Sequence, residues 1–363
     1  MVIVSVAIQG LGAIAGQASR LISKRPKWPV VFVMALVLSG CDSSNNQVHK
    51  LSGWAQGTTW HVSVWQSGGL DVNALQQRID AEFNRLDRSL SNYRSDSDIE
   101  RFNATETTAP IDVGSEIVGL IEAAKQVSQA SQGCYDLTIK PLFDLWGFSG
   151  QTLTPPDPAT LTQQLQHIGF SKLETPTPTQ LRKTDPQIHV DLSSIAQGYS
   201  VGRIAAVVEA AGIQNYLVEI GGELQTRGHK ADGSPWRIGV ERPLPGGRSV
   251  QKALTIRQDA PVSVMTSGTY RHYFDEQGKR YSHVLDARTG KPVTHNTVSV
   301  TVINDNPTLA DAWSTALLCL GREAGMPVAN DNGIAALFIT THNNQFEEAA
   351  TYRWHSMKTI EVH

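Results

Sequence analysis

The stretch Ile188-His-Val-Asp-Leu-Ser-Ser-Ile-Ala-Gln-Gly-Tyr-Ser-Val201 decides how the rest of the chain is arranged. Ile188 and Val190 alternate as in a short strand, and Ala196, Ile204, Val207 and Val208 then recur at helical spacing. Between them stand Asp191, Ser193 and Ser194, residue types that cap helices. A carboxylate at a strand-to-helix junction admits two readings. Either Asp191 and Ser194 only cap the helix, or they form one wall of a site, since a helix N-terminus beside an acidic group suits a phosphate or its metal.

Upstream of this junction, Trp54 to Trp65 alternates like one strand with Gly57-Thr58-Thr59 in its middle, where a glycine permits close approach of a backbone or ligand. Leu75, Ile79, Phe83, Leu86 and Leu90 then mark a helix with one buried face. The polar run Ser91 to Asp98 breaks it and suits the cap of a short helix through Ile99 and Phe102. Tyr93 is the lone aromatic of that loop, either packed over it or a ligand contact. Val113 to Ser131 is a second long helix; the aromatic-dense run Pro141 to Phe148 suits core packing, and Leu161 to Ile168 a short helix.

Downstream the chain is largely strands: 216–220, 224–228, 236–240, 252–256, 262–266, 298–303 and 335–340. Gly221-Gly222 suits a tight turn, Tyr281 to Pro292 a strand ending in a turn, and Thr308 to Leu320 a helix. These elements predict one α+β domain of antiparallel strands with helices packed against them.

The 363 residues are 40% hydrophobic and 18% charged, which excludes a disordered composition and allows one large domain or two ordinary ones. A formal net charge of -3, with no basic patch, argues against nucleic acid as a partner. At the N-terminus, Arg20, Lys24, Arg25 and Lys27 precede an apolar run, Val30 to Leu38, and then Ser39-Gly40-Cys41. That run of about nine residues is far short of the roughly 20 a spanning helix needs, so the pattern is that of a bacterial lipoprotein signal with Cys41 as the lipidated residue. Residues 1–40 are then leader, 41–50 a polar tether and 51–363 the domain. Of the other two cysteines, pairing stays open, although Cys319 lies in an apolar helical run where a buried free thiol is the commoner fate.

A few polar groups resist a packing explanation. Asp311 and Thr315 are four apart on a predicted helix, so both oxygens face one way among Ala310, Ala312, Leu317 and Leu318. Turned inward, they call for a cationic or hydrogen-bonding partner, and magnesium favours such oxygens. The alternative is an Asp in a first helical turn and a surface Thr. His283 precedes Asp286-Ala-Arg-Thr-Gly290 and is either a general base or a structural histidine.

Taken jointly, Gly57-Thr58, Ser91-Asn-Tyr-Arg94, Phe143 to Phe148, Val190 to Tyr199, Leu217 to Gly222, Tyr281 to Gly290 and Ala310 to Ala316 resemble the ApbE family of FAD:protein FMN transferases, in the family's order, over about residues 50 to 345. The resemblance implies a single T-fold-like domain in a lipoprotein on the periplasmic side of the inner membrane. It implies transfer of the FMN moiety of FAD, with Mg2+, onto a threonine of target flavoprotein subunits of membrane redox complexes, releasing AMP. Carried over by position, Asp191 contacts FAD, as do Cys134, Tyr135, Asp136 and Leu285; Tyr93 meets the flavin or its surroundings. Ser194, Asp311 and Thr315 surround the metal, and His283 helps deprotonate the acceptor threonine. Gln56 and Gln197, also FAD-facing positions, depart from the Met and the Lys or Glu that many members carry. Two alternatives share these residues: an FAD pyrophosphatase yielding FMN and AMP, and an FAD-binding lipoprotein without turnover.

Overall fold

Eight strands hydrogen-bond side by side in the order in which the chain makes them, each antiparallel to the next. They are β1 His49–Ala55, β2 Thr58–Trp65, β3 Asn215–Ile220, β4 Glu223–Arg227, β5 Val262–Gly268, β6 Thr297–Asn304, β7 Ala335–His342 and β8 Gln345–Ala350. The structure, a computed structural model, describes residues 47–148, 155–244, 249–269, 273–276, 279–343 and 345–363. The leader and Cys41 lie outside the described residues.

Six helices are inserted between β2 and β3: α1 Val72–Leu90, α2 Asp98–Ala104, α3 Gly114–Ala130, α4 Lys140–Trp146, α5 Pro158–Leu165 and α6 Ser193–Glu209. α7, Pro307–Asp331, connects β6 to β7, and the short α8, Tyr352–His355, follows β8. Among the described residues, no helix is long and apolar enough to cross a membrane.

Strand alternation gives the sheet two apolar faces. Val218 packs with Val62 and with Leu75, Ile79, Ile204 and Leu317 of α1, α6 and α7. Its neighbour Leu217 faces the other way, with Leu224, Val264 and Leu337, onto Trp236, Ile238, Leu254 and Ile256 of a smaller sheet. Buried on both faces, the central strands form a rigid platform for whatever stands at their ends.

Two expectations are corrected. Trp54 to Trp65 is not one strand: Ala55 pairs with Thr58 across a two-residue turn in which Gln56 and Gly57 have φ of 52° and 73°. Two positive φ angles define the tight turn whose twist matches a hairpin, and the sequence lacks the usual Asn-Gly signal for it. Residues 188–192 pair with no strand among the described residues, and Leu192 already has helical φ and ψ of -93° and -1°. Their backbone is satisfied by side chains instead. Asn103 accepts from Val190 N at 2.7 Å and donates to its carbonyl at 2.9 Å, while Asn92 donates to the same carbonyl and accepts from Leu192 N at 2.7 Å. Two amides thus stand in for a neighbouring strand. The question left open for the cysteines is resolved: Cys319 is bonded to Cys134 across 185 residues, with 6.1 Å between Cα atoms.

Asn103 is buried, so Asn103→Ala leaves the Val190 amide without one partner and its carbonyl with fewer. Urea unfolding should register a loss of about 2–4 kcal/mol, the scale of unsatisfied buried backbone groups. A loss below about 0.5 kcal/mol, the range of an ordinary surface change, would show that the clamp is dispensable.

Candidate active site

Four segments converge around the start of α6. Asp191 is fixed from behind, its N–H donating to the Leu137 carbonyl at 2.7 Å, and its Oδ1 accepts from the Ser193 amide at 2.8 Å and from the Ser193 hydroxyl. Burial pushes this carboxyl above the ordinary range. One residue into the helix, Ser194 Oγ donates to the Tyr135 hydroxyl at 3.3 Å. Asp191 therefore does sit at a helix start, and it is also half-buried against the segment carrying Tyr135.

The second wall is α7. Gly198 N donates to Asp311 Oδ2 at 2.7 Å, joining the two helices. Glycine is required there: a Cβ on Gly198 would fall 2.4 Å from the Pro307 carbonyl oxygen and 2.5 Å from Asp311 Cβ. One turn further along α7, Thr315 Oγ1 lies 3.0 Å from Ser267 Oγ of β5, which also meets Ser314 Oγ at 2.7 Å. Asp311 thus bonds to α6 and Thr315 to the sheet.

Glu223, which sequence reasoning missed, completes the set. It opens β4 directly after the Gly221-Gly222 turn, is buried, and accepts from Thr266 N at 3.1 Å. The available signal was a carboxylate following a paired glycine turn. Burial first, and then the Asp311 charge, hold Glu223 well above the usual carboxylate range, and burial pushes Asp311 up to about 7. The Tyr135 phenol is likewise raised by burial and then by the charges of Asp311, Asp136 and Asp191, with the Ser194 bond opposing.

Among the described residues, no Lys, Arg or His forms an ion pair with Asp311 or Glu223. Buried carboxylates lacking a cationic side chain fit a hard divalent cation, and the hydroxyls of Ser194 and Thr315 offer further oxygen donors of the kind magnesium takes.

The other predicted residues divide by what already occupies them. Asp136 is committed to structure: it accepts from the amide and hydroxyl of Thr138 at 2.8 and 2.7 Å and from Phe170 N at 2.9 Å. The Leu285 side chain packs with Ile139, Leu142 and Trp146. Gln56 donates to Ser200 Oγ at 3.0 Å and Gln197 to the Ile220 carbonyl at 2.6 Å, so one bond ties the Gln56-Gly57 turn to α6 and the other ties α6 to the end of β3. Tyr93 is 90% exposed, next to the clamping Asn92. His283 is half-buried at the bend after the strand Lys279–Ser282. A groove of about 1090 Å3, lined by Arg203, Pro307, Arg353 and Lys358, opens beside the start of α7, and none of the predicted residues lines it.

The class defined so far is an α+β protein with an antiparallel sheet and a buried carboxylate and hydroxyl site between two helices. The ApbE family's sequence profile matches residues 56–338, and the chain belongs to that family. A relative from Vibrio cholerae named FAD:protein FMN transferase is 37% identical over 329 residues, 89% of this chain and 96% of the relative. One of the same name from Haemophilus influenzae is 33% identical, over 87% and 93%. Among solved structures, the apo flavinyl transferase ApbE of Pseudomonas stutzeri superposes with a TM-score of 0.78 at 38% identity, covering 85% of this chain and 96% of that one. The flavin transferase ApbE of Vibrio cholerae gives 0.77 at 35%, covering 85% and 99%.

Asp311 supplies a test of the metal fit. A carboxyl raised by the fold contributes stability that is fully present below its unfolded pKa and lost as pH rises through about 7. In metal-free protein, Asp311→Asn should therefore raise the melting temperature more at pH 8 than at pH 5, and should remove the stabilisation that added Mg2+ gives the parent. Equal shifts at both pH values, or intact Mg2+ stabilisation, would refute the assignment.

Proposed function

We propose that this protein moves the FMN moiety of FAD onto a threonine hydroxyl of a target flavoprotein, releasing AMP. The observation that carries this reading is the buried pair Asp311 and Glu223, with Asp311 tied to α6 through Gly198, in a chain whose relatives are named FAD:protein FMN transferases. Buried acidic oxygens with no cationic side chain are what a magnesium pyrophosphate complex requires of its protein.

In this reading Ser194, Asp311 and Thr315 hold Mg2+, which neutralises phosphate charge as the pyrophosphate is opened. The start of α6 lies beside the phosphates with its positive dipole end, and Asp191 fixes the adjoining part of FAD. Tyr93, Gln56, Gln197 and the 134–136 segment enclose the cofactor and orient it. His283 takes the acceptor proton as the threonine oxygen bonds to the FMN-side phosphorus and the bond to the AMP oxygen breaks. Holding nucleophile and phosphorus in line supplies much of the rate, because little covalent chemistry falls to the protein.

The acceptor class we assign is a flavin-carrying subunit of a membrane redox complex, and the site of action the periplasmic side of the inner membrane, with Cys41 as the lipid anchor. The basic and apolar N-terminal run supports this, and so does the Cys134–Cys319 disulfide, a bond typical of oxidising compartments.

Incubation with FAD, Mg2+ and a candidate acceptor should add one FMN to the acceptor's intact mass and release AMP stoichiometrically. AMP without the mass gain would make the enzyme a pyrophosphatase, and FAD binding with neither product would leave only a carrier. His283→Ala should bind FAD normally while transfer slows by about a hundredfold to ten-thousandfold, the usual range for losing a general base. Parental rates in that variant would remove the histidine from the chemistry.

A further inference from the structure

Asp311, Thr315 and Cys319 are spaced four apart along α7, so they form a single stripe on one face of the helix. The stripe ends there. Gly321, two residues later, has φ 71° and ψ 173°, values no helix accommodates, so the axis is broken just beyond Cys319. The last fixed point of the stripe is its covalent bond to Cys134.

Cys134 belongs to the opposite wall. It follows a turn at the end of α3 in which Gln132 and Gly133 both have positive φ, and it immediately precedes Tyr135, whose hydroxyl receives the Ser194 bond. The Cys134 carbonyl accepts from Ala287 N at 3.2 Å, and Cys319 Sγ lies 3.8 Å from the Leu285 carbonyl oxygen. Three segments thus meet at one buried sulfur pair, the two cysteines being 1% and 4% exposed. The 3.3 Å contact between Ser194 and Tyr135 is too long to hold that wall by itself.

We propose that the Cys134–Cys319 disulfide is a positioning element of the flavin site: it sets the Asp311 and Thr315 face of α7 against the Tyr135 segment and so preorganises the site for FAD. The proposal rests on the flavin reading above. Where a site is held in its binding geometry before the ligand arrives, affinity gains what ordering would otherwise consume.

Three forms of the full chain test this: the intact protein, the same protein reduced by dithiothreitol, and Cys134→Ala/Cys319→Ala. In the reduction, two thiols form on the protein while the reagent closes to its cyclic disulfide, so no atom is removed and no cavity is made. Both unlinked forms should keep the native circular dichroism and bind FAD about five- to twentyfold more weakly, the effect expected of lost preorganisation. Amide exchange of residues 134–137 and 311–319, read without FAD, should be faster by about tenfold. FAD affinities within about twofold of the intact form, with only a lower melting temperature, would make the bond a stability strut and overturn the proposal. If the intact chain bound no FAD, the flavin reading would fall by itself, and unchanged amide protection would then overturn the positioning claim independently.

Discussion

The contact on which the site depends is the one between the Gly198 amide and the Asp311 carboxylate. It requires two things at once: a residue without Cβ on α6, because any side chain would meet Pro307 and Asp311 inside van der Waals distance, and a buried acid on α7. Glycine in a helix interior costs about 1 kcal/mol against alanine, and a carboxylate facing an amide in a low dielectric adds to that. Neither choice serves folding. Together they hold α6 and α7 in close contact, with Ser194 against Tyr135 on one side and Thr315 against Ser267 on the other.

Rigidity around this contact comes from groups that are themselves fully bonded. The 188–192 segment carries Asp191 without joining any sheet, so its polar backbone depends on Asn92, Asn103 and the Leu137 carbonyl. Behind it, Lys183 is completely buried, donates to the Asn103 and Thr105 carbonyls at 3.1 Å and stands 4.7 Å from the centre of the Phe102 ring. Burial lowers that ammonium's pKa to about 8. Its bonds hold the end of α2, where Asn103 sits. Each support is local, and each fixes the next one nearer the site.

Periodicity made the helices and most strands legible in the sequence, since α1, α3, α6 and the start of α7 bury the faces their spacing picks out. Asp311 and Thr315 were legible as a pair for the same reason. The strand at 188–190 was misread because alternation reports an extended, half-buried backbone and says nothing of whether a strand or two asparagines satisfy it. The turn at Gln56-Gly57 was hidden because glutamine seldom adopts positive φ. Glu223 escaped because its significance lies in proximity to a residue 88 positions later, and no local pattern encodes that. The same holds for the cysteines, 185 residues apart. At Asp136 the fold adds what position in the chain does not carry: its oxygens accept from Thr138 and Phe170.

The charge at the centre has a consequence for how the fold is built. Asp311 and Glu223 each resist ionisation, so at neutral pH these buried carboxyls oppose folding. A site of this kind survives only if the elements carrying it are anchored elsewhere. β4, which carries Glu223, is anchored by a sheet buried on both faces. α7 is anchored at its start by Pro307 against Gly202 and at its broken end by the bond to Cys134. The acidic pair lies between these fixed points, so the cost of burying it appears as raised carboxyl pKa values and not as a parting of α7 from the sheet.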